Sequence, residues 1–381
     1  MSDDLRNKIS ETAFAFRGYN ITNLGRTHEL LEHPAYGKTM ERYLLQATRI
    51  CSEVTGHPTD LLWRVRNNKE PTLEAYGEAL GLVMATELAQ VQLLEEFHGV
   101  TYQKARLAFG YSLGELTAIS CGSVFSMEEV LRIPVAMAAD SVKLAHDATM
   151  GVLFSRGPAI SEEDVSRLCR QVTAEGAGTI GISSILSPNS YLLIGQQQTV
   201  HRFKKVMHER LPDPAHLRIN DHRWPPLHTP IVRQKHIPDR SSVMMETMEG
   251  GFQPPLPSVV SLVTGKHSYN DYGARDLIRQ WIDHPQRLWD AIGETLSCGV
   301  STVVHVGPQP NVIPATFRRL TENVNDQMAG KSLGSLGLRA AAGLARRPWL
   351  TALLPAQAAL LRAPSLQHVI LEDWLLENPP A

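Results

Sequence analysis

The sequence predicts an α/β protein in two parts: a large domain built around a serine-bearing strand–turn–helix, and a small ferredoxin-like module inserted into it. Three observations predict this. Gly110-Tyr111-Ser112-Leu113-Gly114 stands between an apolar run, Ala105 to Phe109 broken only by Arg106, and a helix-like stretch, Glu115 to Ile119. Glycines flanking a serine at two positions permit the strained, closely approached backbone of a nucleophile elbow, and such an elbow makes the large domain α/β-hydrolase-like. Residues 147–221 carry strand and helix patterns in the order β-α-β-β-α-β, which is ferredoxin-like. Chemistry then resumes on the far side of this module, at Leu227-His228-Thr229-Pro230.

The elements follow from local pattern. Ala13-Phe14-Ala15-Phe16 reads as a buried strand ending at Arg17-Gly18, and residues 32–60 read as helical with Pro34 and Pro58 as punctuation. Ala79 to Phe97 is a long helix with Leu80, Val83, Met84, Leu88 and Val91 or Leu94 on its apolar side. Ser126, followed by Glu128 and Glu129, caps another helix running toward His146, kinked at Pro134. In the module, strands are expected at Gly151–Ser155, Thr179–Ile185, Tyr191–Gly195 and Ala215–Ile219, and helices at Ser161–Thr173 and Gln198–Leu211. Proline-rich loops lead to a strand at Ser258–Val263, a helix over Asp276–Ile292 interrupted at Pro285, and a strand at Ser301–Val306 ending in Gly307-Pro308. The expected domains are therefore 11–146 with 222–320, the inserted 147–221, and a helical C-terminal extension, 321–381. In that extension Lys331 to Gly337 reads as a hinge or loop, and the apolar pieces around Trp349 and Trp374 as packing on the large domain or on a partner enzyme.

Composition excludes several classes. Net charge is −2 over 381 residues, so neither a nucleic-acid groove nor a polybasic membrane patch is expected. No run of 18 clean apolar residues occurs; the nearest, Leu336 to Leu361, is interrupted by Arg339, Arg346, Arg347 and Pro348 and reads as an amphipathic tail. The charged N-terminus has no export segment behind it, and Cys51, Cys121, Cys169 and Cys298 are widely spaced with no C-x-x-C pair, which fits reduced thiols of a cytoplasmic protein. The 15 histidines show no H-E-x-x-H or comparable spacing, so a catalytic metal is not expected.

A serine hydroxyl needs an adjacent base and an oxyanion site to act as a nucleophile near neutral pH. Prolines around His228 hold one imidazole in place after the module, and this makes His228 the candidate base for Ser112. Four pieces, Phe14-Ala15-Phe16-Arg17-Gly18, Gly110-Tyr111-Ser112-Leu113-Gly114-Glu115, Leu227-His228-Thr229-Pro230 and Val306-Gly307-Pro308, resemble in order and spacing the malonyl-CoA:acyl carrier protein transacylase family. That family includes the acyltransferase domains of polyketide and fatty acid synthases, and the resemblance covers about residues 11–320. It implies ping-pong transfer: Ser112 as nucleophile, His228 as base, and the backbone N–H groups of Leu113 and Tyr19 as oxyanion donors. It also implies that a main-chain carbonyl near the Gly307-Pro308 turn orients the histidine, with Gln309, Pro310 or Asn311 in that region. No bound cofactor is implied; acyl-CoA is substrate and an acyl carrier protein supplies phosphopantetheine, in a polyketide synthase complex or related pathway.

The departures from the family pattern bear on substrate. Tyr111 replaces the histidine before the serine, and Gly18-Tyr19-Asn20 replaces Gly-Gln-Gly. Where the family carries an arginine for the malonyl carboxylate, the resemblance puts Met137 or a neighbour in Val135-Ala136-Met137-Ala138-Ala139, and no arginine lies between Arg132 and Arg156. Ser183-Ser184-Ile185-Leu186 and His305 stand where the family has a supporting asparagine and glutamate. Tyr111, Met137 and Asn311 are thus the candidate substrate-binding residues, and a non-carboxylated acyl group is expected. Arg318-Arg319, His222, Arg223 and Arg233 are candidates for phosphate or carrier contacts. Two other functions suit the same residues: a thioester hydrolase acting on acyl carrier protein, and a degenerate scaffold that only docks a carrier protein.

Overall fold

A computed structural model describes residues 2–155, 159–213, 215–329 and 359–380. The larger sheet contains β1 (Thr12–Phe16), β2 (Leu107–Gly110), β7 (Val259–Val260), β8 (Thr302–Val306) and β9 (Gln367–Ile370). Their order is β7-β2-β1-β8-β9, and every pairing is parallel. β1 and β2 are buried along their whole length, as strands covered on both faces must be. Their side chains alternate between two cores. Phe14, Phe16 and Ala108 face one that includes residues of the helices Gly37–Thr55, Tyr76–His98 and Met127–Ala145. Ala13, Ala15 and Phe109 face the other, with Leu288, Ile292, Ile313 and Phe317.

The inserted module contains β3 (Ala148–Ser155), β4 (Ile180–Ser187), β5 (Ser190–Gln196) and β6 (Ala215–Asn220) in the antiparallel order β4-β5-β3-β6. Its helices Glu162–Ala174 and Thr199–Val206 share one apolar core with the strands, through Val165, Leu168, Val200 and Phe203. Ser161 and Ser126 each cap a helix, their hydroxyls accepting from the N–H of Asp164 and Glu129.

One element sharpens the sequence reading and two differ from it. The helix over Asp276–Ile292 is two helices, Ala274–Asp283 and Leu288–Ser297, because Pro285 lacks a donor and disfavours helical geometry in the residue before it. The freed segment pairs with the module: Gln286 N–H donates to the Ser183 carbonyl at 2.9 Å, and Ile185 N–H donates to the Gln286 carbonyl at 2.8 Å. The strand at Ser258–Val263 shrinks to Val259–Val260. The C-terminal segment is not purely helical: Gln367–Ile370 pairs with β8 as a fifth strand, and covers what would otherwise be an open edge. The helix Leu371–Glu377 follows, with Trp374 buried. Lys331–Gly337 and Trp349 lie outside the described residues. Among the described residues no helix is long and apolar enough to cross a membrane.

Candidate active site

Parallel pairing sets the site. Phe16 of β1 lies beside Gly110 of β2, so the two loops leaving their C-terminal ends meet. Crevices at strand C-termini are where open parallel sheets bind ligands. The elbow turns between them: Tyr111 N–H donates to the Phe16 carbonyl at 2.9 Å, and Ser112 takes φ 53°, ψ −117° before the helix Leu113–Cys121. A non-glycine residue at positive φ persists only where its surroundings impose it.

The flanking glycines are what allow this turn. A Cβ on Gly110 would lie 2.0 Å from the Gly114 carbonyl carbon, and one on Gly114 would lie 2.3 Å from the Phe16 carbonyl oxygen. Glu115, buried, anchors the following helix by accepting from Leu262 N–H at 3.0 Å and Tyr269 O–H at 2.8 Å.

The Ser112 Oγ to His228 Nε2 distance is 2.7 Å. His228 is itself at φ 63° and is held by the end of the helix Ala274–Asp283. Its backbone N–H donates to the Ile282 carbonyl at 2.7 Å, and its Nδ1 lies 2.6 Å from the Trp281 carbonyl. Last-turn carbonyls have no partner within their own helix, so they are free to accept here. With Nδ1–H donating to Trp281, Nε2 keeps its lone pair toward the serine hydroxyl. The carbonyl end of the helix dipole also favours positive charge on the ring when it takes a proton. Burial pulls the His228 pKa down from 6.5 to about 4, against the opposing Trp281 hydrogen bond and the Asp283 charge.

Trp281 was not singled out by sequence; the orienting carbonyl was expected near Gly307-Pro308. That turn instead serves Arg17, which is buried and donates to the carbonyls of Gly18 and Pro308 at 2.7 and 2.6 Å and to Asn23 Oδ1 at 2.9 Å. These bonds pin the loop that starts at Gly18 against the elbow. A Cβ on Gly18 would sit 2.6 Å from the Tyr111 carbonyl oxygen and 3.2 Å from Ser112 Cβ. Among the described residues, the backbone N–H groups of Tyr19 and Leu113 have no hydrogen-bond partner. The Tyr19 ring packs edge-on against Tyr76 and Trp224.

Gln286 is a second residue that sequence reasoning missed. Its Oε1 accepts from Ser112 N–H at 3.1 Å, and its Nε2 lies 3.3 Å from His228 Nδ1. Trp281 Nε1–H donates to the Ser112 carbonyl at 2.9 Å. The only sequence signal was the Pro285 break, which forces a non-helical segment to pass close to β4.

The other candidates divide. Tyr111 braces the turn: its ring packs over Gly18 and its phenol is within reach of Ser184. Met137 is buried in the large-domain core. Asn311 Oδ1 accepts from Ile313 N–H at 2.9 Å and caps the helix Val312–Ala329. Arg233 pairs with Asp283 at 2.8 Å, Arg223 donates to the Ala148 carbonyl at 2.9 Å, and Arg318, Arg319 and His222 are exposed.

The parallel sheet, the inserted ferredoxin-like module and the serine elbow define a two-domain α/β fold of the transacylase type. An acyl carrier protein S-malonyltransferase from Vibrio cholerae superposes with a TM-score of 0.65 at 19% identity, covering 81% of this chain and 94% of that one. FabD from Acinetobacter baumannii gives 0.64 at 16% identity, covering 82% and 91%. In sequence, 299 residues are 24% identical to a polyketide synthase from Streptomyces halstedii, covering 78% of this chain. A further 224-residue match is 20% identical to the malonyl CoA-acyl carrier protein transacylase of Bacillus subtilis, covering 58% of this chain. The chain spans 4% of that synthase's length and 52% of that transacylase's. No family model matches. By sequence and fold together, the chain is similar to the malonyl-CoA:acyl carrier protein transacylases.

Proposed function

We propose that the chain moves a non-carboxylated acyl group between acyl-CoA and an acyl carrier protein through an acyl-enzyme on Ser112. The observation that carries this is the 2.7 Å Ser112–His228 pair on a positive-φ elbow, beside two unpartnered backbone N–H groups. Ser112 Oγ attacks the thioester carbonyl carbon while its proton passes to His228 Nε2. The oxyanion forms toward the N–H groups of Leu113 and Tyr19. Collapse breaks the C–S bond, and the departing CoA sulfur takes the proton from His228. In the second half the carrier's phosphopantetheine thiol gives its proton to His228 and attacks the acyl-serine, and the proton returns to Ser112.

Acyl selectivity rests on charge. The resemblance puts Met137 or a neighbour in Val135–Ala139 in place of a carboxylate-binding arginine, and Arg132, the arginine of the same helix, pairs with Glu128 at 3.1 Å and Glu53 at 3.4 Å. An unpaired buried carboxylate costs several kcal/mol. Intact-mass measurement with malonyl-, acetyl- and longer acyl-CoAs, followed by holo carrier protein, tests both points. A neutral adduct on Ser112 at least about tenfold ahead of malonyl, then transferred to carrier protein, is expected. Equal malonyl loading would overturn the selectivity, and loss of the adduct to water without an acceptor would make the protein a hydrolase.

The His228 shift sets a pH prediction. Only the neutral ring accepts the serine proton, and the folded ring stays neutral down to about pH 4. Single-turnover acylation is therefore expected to stay level from pH 7 to below 6, and to fall only as pH drops through about 4. An acid limb at 6.5 would show that the ring is solvated. The sign for stability follows the same direction: between 6.5 and about 4 the unfolded ring is protonated and the folded one is not, so stability falls as pH falls across that window.

A further inference from the structure

We propose that His267, Glu294 and Cys298 form a binding site for a zinc-class divalent cation, remote from Ser112. His267 Nε2 lies 3.4 Å from Glu294 Oε1 and 3.8 Å from Cys298 Sγ, and Cys298 Sγ lies 3.6 Å from Glu294 Oε1. A zinc ion at ordinary bond lengths, about 2.0–2.1 Å to nitrogen, about 2.0–2.2 Å to oxygen and about 2.3 Å to sulfur, would set these edges in a tetrahedron. The tetrahedral edges are then about 3.4 Å for N···O, about 3.6 Å for N···S and about 3.6 Å for S···O. Each observed edge lies within about 0.2 Å of its tetrahedral value.

The surroundings suit ligation. Glu294 and Cys298 are four residues apart at the end of the helix Leu288–Ser297, so their side chains leave one face on consecutive turns. His267 comes from the loop after β7, and its Nδ1 lies 2.7 Å from Ser258 Oγ. A partner on one ring nitrogen fixes the tautomer and turns the other lone pair toward the metal. Imidazole, carboxylate and thiolate together match the borderline-soft preference of zinc, and His267 is exposed, which leaves the fourth position to water.

The location sets the site apart from the serine elbow. Ala108 N–H donates to the Ser258 carbonyl at 2.9 Å, and Arg106 Nε donates to the Cys298 carbonyl at 2.9 Å. Both contacts fall at the start of β2, whereas Ser112 follows its end. A bound ion would tie the loop after β7 to the helix end, across the sheet from the elbow. Spacing hid the site, because Glu294 and Cys298 are joined by a single helical turn while His267 arrives from a distant loop.

Cobalt titration of the full-length, reduced protein tests this. One equivalent of Co²⁺ is expected to give a thiolate-to-metal charge-transfer band and the intense visible bands of four-coordinate cobalt, both displaced by Zn²⁺. Cys298→Ser is expected to abolish the charge-transfer band, and Glu294→Gln to weaken binding at least about tenfold. Should Cys298→Ser fail to fold, His267→Gln, altering an exposed loop residue, is expected to weaken binding to a similar degree. Zinc should raise the melting temperature of the parent and not of the His267→Gln protein. No charge-transfer band in the parent, or binding unchanged in these variants, would overturn the proposal.

Discussion

Ser112→Ala is expected to remove the acyl-enzyme altogether and to lower transfer on the order of 10⁴-fold or more, with the fold intact. Under the proposed mechanism His228→Ala is expected to slow acylation by about 10²–10⁴, because the hydroxyl loses the acceptor 2.7 Å away. The informative comparison is Asp283→Asn. Asp283 is buried near the histidine and pairs with Arg233, and it is the acid one would pick for a Ser-His-Asp triad. The His228 Nδ1 partner is instead the Trp281 main-chain carbonyl. Asp283→Asn is therefore expected to change acylation by less than about tenfold, where loss of a triad acid costs about 10⁴. Rapid-quench acylation followed by mass spectrometry measures all three variants. A loss near 10⁴ in Asp283→Asn would sink the main-chain assignment.

Gly114→Ala is expected to be strongly damaging for a single methyl addition near the site. The new Cβ would meet the carbonyl oxygens of Phe16 at 2.3 Å and Arg17 at 2.5 Å, both backbone atoms that no rotamer change can move. The end of β1 and the elbow helix must separate, which both strains the sheet and displaces the Tyr19 loop from Ser112. Overpacking of this kind costs about 3 kcal/mol or more. A melting temperature lower by about 5 °C or more, with acylation reduced at least about a hundredfold, is the expected result. Gly293→Ala is the control. It lies inside the helix Leu288–Ser297, and a Cβ there meets nothing within 4 Å. It is expected to stabilise by up to about 1 kcal/mol through helix propensity alone. Parent-like melting and acylation in Gly114→Ala would show that the elbow is looser than its geometry implies.

Much of the architecture was legible because it is written in local chemistry. The alternation of Ala13-Phe14-Ala15-Phe16 and the capping serines Ser126 and Ser161 each depend on residues close in sequence. So does the glycine spacing around Ser112, since an elbow is a five-residue device. The pairing of Ser112 with His228 needed more than local reading, but order and spacing of four short pieces supplied it. Asn311 illustrates how a helix cap and a site residue look alike in sequence, since both are an asparagine after a turn.

By itself the sequence determined the two-part α/β plan, the elbow, and the identity of the serine and histidine, because periodicity, glycine placement and turn chemistry are properties of neighbouring residues. Only the tertiary structure decided which groups orient them. Trp281 presents a carbonyl, which every residue has, so no side-chain type could reveal it. Gln286 reaches Ser112 only because the Pro285 break is paired onto β4 of the inserted module. Gln367–Ile370 becomes a strand only because β8 offers it an open edge. Each of these depends on two segments that are distant in the chain and adjacent in space, and adjacency of that kind is set by packing.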